Sequence, residues 1–74
     1  MREQNNQTIT VFVVEDDRLY GEILHYRLSL NPNYDVHVFA DGATALASMH
    51  LKPAMVCVDY SLPDMTGADL LQKL

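Results

Sequence analysis

The sequence contains a single cysteine, Cys57, so no disulfide can form within the chain. A chain of 74 residues can form at most one small domain. A domain of this size buries only about 60% of the surface that its unfolded chain exposes. Because no disulfide compensates for the small core, we expect that core to be marginal.

Basic residues are scarce, with five Lys and Arg against ten Asp and Glu and a net charge of −5. This balance argues against nucleic-acid binding, which needs clustered Lys and Arg to neutralise phosphates. No apolar run approaches the roughly 20 residues of a membrane span. Residues 1–8 are predicted to be a disordered polar lead without the apolar stretch of a secretory signal. We expect a soluble, cytoplasmic protein that contacts neither nucleic acid nor membrane.

The usual signatures of nucleotide and zinc sites are also missing. There is no glycine-rich phosphate loop, so nothing supports nucleotide binding. The three histidines, His25, His37 and His50, are scattered without the spacing of metal ligands. Cys57 lies inside an apolar segment and is best interpreted as an inert core thiol.

What the sequence does contain is a regular alternation of strand and helix patterns. The predicted strands are residues 9–15, 35–39 and 55–59, and the predicted helices are residues 17–30, about 42–51, and 66–74. This alternation predicts an α/β fold with parallel strands joined by right-handed crossovers. The first strand is the most continuously apolar and should be central. The expected strand order is therefore 2-1-3, with a switch point between strands one and three.

Helix ends and buried faces can also be predicted. Asp16 or Asp17 should cap the first helix and Asp41 the second, and Thr66 with Asp69 forms a capping-box pattern at the third. The apolar positions at helical spacing are Leu19, Ile23, Tyr26 and Leu30, then Ala43, Leu46 and Met49 or His50, then Leu70, Leu71 and Leu74. The strand residues expected to be largely buried are Val11, Val13, Val56 and Val58.

Carboxylates follow two of the strands at the edge where open α/β sheets bind ligands. Glu15, Asp16 and Asp17 end the first strand, and Asp59 ends the third. Taken alone, each could be a helix cap or a solvated strand end. Converging carboxylates repel one another, however, and a divalent cation such as Mg²⁺ relieves that repulsion. A carboxylate beside such an ion can attack a phosphoryl group.

Two longer segments carry a resemblance to a known family. They are Val13-Val14-Glu15-Asp16-Asp17 and Val58-Asp59-Tyr60-Ser61-Leu62-Pro63-Asp64-Met65-Thr66-Gly67. With Ala40-Asp41-Gly42-Ala43 between them, they resemble the receiver domain of two-component response regulators, across residues 9–74. The resemblance implies a flavodoxin-like doubly wound sheet. It also implies a signalling module rather than an enzyme, with a sensor histidine kinase as partner and an output domain C-terminal to this segment.

The resemblance further implies a role for each site residue. Asp59 would be the phosphoacceptor, and Asp16 would bind Mg²⁺ directly. Glu15 would act through water, and Ser61 would contribute its backbone carbonyl.

The chain departs from the family pattern in length. Receivers run to about five β-α units, whereas only about three are predicted here, the N-terminal part of such a domain. The family's Ser or Thr after strand four and its Lys after strand five have no counterpart among these residues. The chain is thus either a fragment of a longer regulator or a truncated interaction module that is not phosphorylated. Without strands four and five, strand three of the isolated chain would be an edge able to pair with a second copy.

One class of enzymes also carries an aspartate at the end of a strand. Aspartate-nucleophile phosphohydrolases have a strand that ends in Asp-x-Asp. Here the residue two positions after Asp59 is Ser61, so the second carboxylate of that pattern is missing.

Overall fold

A computed structural model describes residues 8–59 and 62–73. The strands are β1 (Ile9–Val14), β2 (Tyr34–Phe39) and β3 (Met55–Val58). The helices are α1 (Arg18–Ser29), α2 (Gly42–Ala47), a 3₁₀ turn (Met49–Leu51) and α3 (Gly67–Lys73). The predicted order of elements is confirmed, and residues 1–7 of the predicted disordered lead lie outside the described part. No helix within the described ranges is long and apolar enough to cross a bilayer.

The sheet is parallel and has the order β2-β1-β3. β1 pairs with β2 from Ile9 opposite Tyr34, and with β3 from Val11 opposite Met55. The central position of β1 follows from its sequence, because Val11 to Val14 are all buried and a strand covered on both faces reads as a continuous apolar run. The predicted flavodoxin-like order 2-1-3 is therefore confirmed.

The core lies between the sheet and the pair α2 and α3. Val14, Ala45 and Leu70 form its buried centre. The half-buried residues packed around that centre are Phe39, Leu46, Val56, Val58, Leu62 and Met65. On the same face of the sheet, the rings of Phe12 and Phe39 lie 4.7 Å apart in a tilted arrangement. α1 covers the opposite face.

Each predicted helix cap is present. Asp17, rather than Asp16, accepts a hydrogen bond from the Tyr20 N–H at the start of α1. Asp41 accepts from the Thr44 N–H at 2.8 Å. Thr66 and Asp69 form a reciprocal capping box with distances of 3.3 and 3.0 Å. At the other end of the second helical segment, Lys52 has a left-handed backbone conformation with φ of 56°.

The prediction that the spaced apolar face of α1 is buried is wrong. Its four residues, Leu19, Ile23, Tyr26 and Leu30, are all exposed, and Tyr26 retains 68% of its accessible surface. Instead α1 approaches the sheet through Gly21, where an added Cβ would lie 3.2 Å from Val38. Within the described residues no second helix lies beside α1 on this face of the sheet. The apolar side chains on either side of Gly21 therefore remain exposed.

Parts of the other predicted faces also need correction. In α2 and the 3₁₀ turn that follows it, Gly42 and Ala45 are buried, with Leu46 and Met49 half-buried, whereas Ala43 and His50 are exposed. The inward set follows the spacing i, i+3, i+4, i+7 from Gly42, because that residue lies against the loop before α3. In α3, Leu70 is buried but Leu71 is 59% exposed, and Leu74 lies outside the described residues.

The burial predicted for the strands holds fully only for β1. Val11 and Val13 are buried, whereas Val56 and Val58 are half-buried. Their lower burial has a simple cause. β3 is paired only with β1 in the described structure, so one side of the strand has no neighbour.

Candidate metal centre

Two acidic residues are held at the same edge of the sheet by backbone hydrogen bonds that continue the strand ladders. Glu15 follows β1, and its N–H donates to the Phe39 carbonyl at 2.9 Å. Asp59 follows β3, and its N–H donates to the Val14 carbonyl at 2.9 Å. The backbone of both residues is therefore fixed by the sheet, before any contact between their side chains is considered.

The sheet brings three carboxylates together as predicted. One oxygen each from Glu15, Asp16 and Asp59 lies within 4.8 Å of the other two. Glu15 and Asp59 are half-buried, and Asp16 is exposed. The cluster is thus open to solvent on one side and supported by the sheet on the other.

The electrostatics of the cluster disfavour charge on Glu15. Its pKa is raised above 4.5, first by partial removal from water and then by the negative charge of Asp59, a hydrogen bond with the Asp59 side chain and the charge of Asp16. A hydrogen bond from the Asp17 N–H opposes these effects and lowers the pKa. Partial burial and the neighbouring carboxylates thus both disfavour charge on Glu15, and a bound cation would relieve the repulsion between the carboxylates.

The donor set fits a hard divalent cation. Mg²⁺ prefers oxygen ligands at about 2.0–2.1 Å and usually keeps several waters, so two direct ligands lie at most about 4.2 Å apart. The 4.8 Å limit on the cluster slightly exceeds that span. Three carboxylates within this limit can supply a small cation with direct ligands or with ligands that act through bound water. Ser61, the fourth predicted ligand, lies outside the described residues.

Two hollows border the cluster. One, of about 440 Å³, is lined by Glu15, Asp16, Arg18, Glu22, His25, Val38 and Ala40. Its basic residue, Arg18, forms an exposed ion pair with Glu22 at 3.3 Å. The other, of about 350 Å³, is a groove between α1 and β3. It is lined by Val13, Val14, Glu15, Tyr20, Leu24, Cys57, Val58 and Asp59. The carboxylates are thus reachable from both sides of β1.

Sequence reasoning missed one residue near this edge, Asp64. Its two carboxylate oxygens accept hydrogen bonds from the N–H groups of Gly42 and Ala43, each at 2.9 Å. These bonds lower the pKa of Asp64 below 3.8, and the bond from Gly42 has the larger effect. A cap supplied from 22 residues away has no local sequence signal, unlike the caps made by Asp41 and Thr66.

Comparisons with known proteins agree with this geometry. A family model described as the response regulator receiver domain matches residues 11–74. The probable transcriptional regulatory protein TcrX of Mycobacterium tuberculosis (strain ATCC 25618 / H37Rv) is 35% identical over 75 residues, covering 100% of this chain and 32% of that protein. The DNA-binding response regulator MtrA of Mycobacterium leprae (strain TN) is 35% identical over 65 residues, covering 86% of this chain and 28% of MtrA.

The chain therefore spans about a third of the length of the curated relatives it matches. A search of solved structures gave no significant match. The family match covers nearly the whole chain, and both the strand order and the acidic cluster agree with it. The chain belongs to the response regulator receiver domain family.

Proposed function

We propose that this chain is the phosphoacceptor module of a two-component response regulator, which takes a phosphoryl group onto Asp59 from a sensor histidine kinase with Mg²⁺ as cofactor. One observation carries the proposal. The carboxylates of Glu15, Asp16 and Asp59 converge at the carboxyl ends of two neighbouring parallel strands, where such sheets bind ligands. Family membership supports a signalling module rather than a classical enzyme.

Each residue has a distinct role in the proposed reaction. A carboxylate oxygen of Asp59 attacks phosphorus, and the bond from phosphorus to the donor breaks as the new O–P bond forms. The electron pair of the broken bond leaves with the donor, which for a histidine kinase is an imidazole nitrogen. Asp16 would hold Mg²⁺ directly, Glu15 through water, and Ser61 through its backbone carbonyl. When bound, the ion supplies positive charge that stabilises the developing charge on the phosphoryl oxygens.

The partners of the module follow from the same proposal. TcrX and MtrA are named as a transcriptional regulator and a DNA-binding response regulator, and the matched segment is only about a third of each. We propose that this segment likewise works with an output segment C-terminal to it, within the cytoplasm. The acidic chain itself, with a net charge of −5, would not contact DNA directly.

The test is a labelling experiment on the complete gene product that contains this chain. Incubation with Mg²⁺ and a small phosphodonor such as acetyl phosphate should add the mass of one phosphoryl group, located on Asp59. Asp59→Asn should remove the labelling. Asp35→Asn, which changes an exposed carboxylate on β2, should leave it intact. Equal labelling of the wild type and Asp59→Asn by intact-mass measurement would refute the assignment.

A further inference from the structure

The loop between β3 and α3 is fastened to the start of α2, and Asp64 makes the polar part of that attachment. Asp64 accepts from the N–H groups of Gly42 and Ala43 at 2.9 Å each. These are the first two N–H groups of α2, which have no partner within the helix. Asp41 already satisfies the third, from Thr44. Two carboxylates from different parts of the chain thus share one helix start.

An apolar contact fastens the same loop at the same place. The Met65 side chain lies so close to Gly42 that an added Cβ there would be 2.5 Å from its sulfur. Leu62 and Met65 also pack on the core centre of Val14, Ala45 and Leu70. The Leu62 N–H donates to the Met65 carbonyl at 3.1 Å, which closes the segment on itself. The segment 62–65 is therefore fixed to α2 and to the core.

This attachment lies very near the acceptor along the chain. Asp59 is fixed on one side by its N–H bond to Val14. Residues 60 and 61 alone separate it from Leu62, where the fixed segment begins. Three peptide units join the Cα atoms of Asp59 and Leu62, so these atoms lie at most about 11 Å apart and the placement of segment 62–65 restricts that of Asp59. Asp64 is not a member of the acidic cluster, which consists of Glu15, Asp16 and Asp59.

We infer that Asp64 is a positioning residue for phosphoryl transfer, which holds the loop after Asp59 against the start of α2. The inference rests on the proposed function, because it concerns the rate of that reaction. Reaction rates depend steeply on placement, and a misplacement of about 1 Å can cost about 100-fold. Loosening one of the two attachments, while Met65 still packs on Gly42, should produce a smaller displacement and a smaller loss.

The structure offers a matched control for this role. Asp41→Ala and Asp64→Ala each remove a carboxylate that caps α2, so both should weaken the helix start to a similar degree. Only Asp64→Ala releases the loop. A third variant, Asp64→Asn, keeps one side-chain oxygen that can accept and so retains one of the two hydrogen bonds.

The experiment compares these variants in the complete gene product, with acetyl phosphate as donor and saturating Mg²⁺. Rates are measured well below each variant's melting temperature. We expect Asp64→Ala to lower the maximal rate of Asp59 labelling about ten-fold, Asp64→Asn to lie in between, and Asp41→Ala to stay within about two-fold of wild type. If the labelling rates follow this order while the variants melt at similar temperatures, loss of helix stability alone does not explain the differences in rate.

The outcomes separate the inference from the proposed function. If the wild type is not labelled on Asp59, the proposed function fails and the inference fails with it. If the wild type is labelled and Asp64→Ala reacts as fast, or no more slowly than Asp41→Ala, the inference alone is wrong. Should Asp64→Ala fail to fold, the comparison of Asp64→Asn with Asp41→Asn gives the same decision.

Discussion

Two carboxyl groups near the end of the sheet have pKa values displaced in opposite directions. Partial burial and neighbouring negative charge raise the pKa of Glu15, whereas two backbone N–H groups lower that of Asp64. The acidic cluster therefore costs the fold stability at neutral pH, while Asp64 contributes some. The immediate partners of these carboxyl groups, rather than residue type, thus distinguish a candidate cation site from the attachment of a loop.

The lowered pKa of Asp64 predicts a pH-dependent contribution to stability. A depressed folded pKa gives stability that is present above the unfolded value of 3.8 and is lost as pH falls through the lower folded value. Wild type should therefore melt at a higher temperature than Asp64→Asn at about pH 6, and the difference should shrink below about pH 4. A gap that stays constant from neutral to acid pH would contradict the hydrogen-bonded carboxylate.

The acidic cluster predicts a stabilising effect of Mg²⁺. At about ten times its Kd, Mg²⁺ should raise the free energy of unfolding by about 1.4 kcal/mol, because it binds the folded state only. Asp16→Asn should weaken the effect, and Asp35→Asn, away from the cluster, should leave it unchanged. Thermal melts of the complete gene product across a series of Mg²⁺ concentrations test this, and no shift up to millimolar concentrations would argue against a metal site.

The helices differ in how much of their apolar surface the described structure covers. α3 buries Leu70 in the core centre beside Val14 and Ala45, while α1 buries only Gly21. α3 is short and yet has a well-defined anchor. α1 is the longer helix, and its stability rests more on its own turns and caps than on packing.

Leu70 and Leu71 provide a matched pair for testing the packing of α3. Leu70→Ala empties a fully buried site and should cost about 2–5 kcal/mol. Leu71→Ala removes a side chain that is 59% exposed, so its cost should stay within about 0.5 kcal/mol. Urea unfolding of both variants in the complete gene product measures the two losses. Similar losses for both would mean that α3 is rotated relative to this structure.

Local signals account for what the sequence predicted well. The continuous valine run identified β1 as central, and the caps at Asp41 and Thr66 were visible because each partner lies three residues away. The acidic cluster was predictable because parallel strands end at one edge. The attachment made by Asp64 and the exposure of the apolar face of α1 were not predictable, since both depend on distant segments. Helical spacing shows which apolar residues share a face, but not whether anything covers it.

The sheet as a whole leaves β3 unpaired on one side in the described structure. Met55 is 41% exposed there, and Val56 and Val58 are half-buried. An edge strand with free backbone groups and apolar side chains can pair with another chain. The groove between α1 and β3 adds further apolar surface from Tyr20 and Leu24.

This geometry predicts how the 74-residue chain behaves when purified alone. It should not persist as a compact monomer but should pair through β3, exchange strands or aggregate. Sedimentation velocity measures the outcome, and Met55→Lys should reduce association by placing a charge on the edge. A monodisperse wild-type monomer with a sharp melting transition would show that β3 needs no neighbour.

Cys57 provides a direct reporter of this edge. It is the only cysteine in the sequence, and it lies half-buried on β3 along the groove beside α1 rather than in the core as the sequence predicted. A thiol-reactive dye should label it readily wherever β3 is uncovered and slowly wherever another strand or helix occupies the groove. The labelling rate of one side chain, compared between the 74-residue chain and the complete gene product, would therefore read out whether this half of the sheet is shielded.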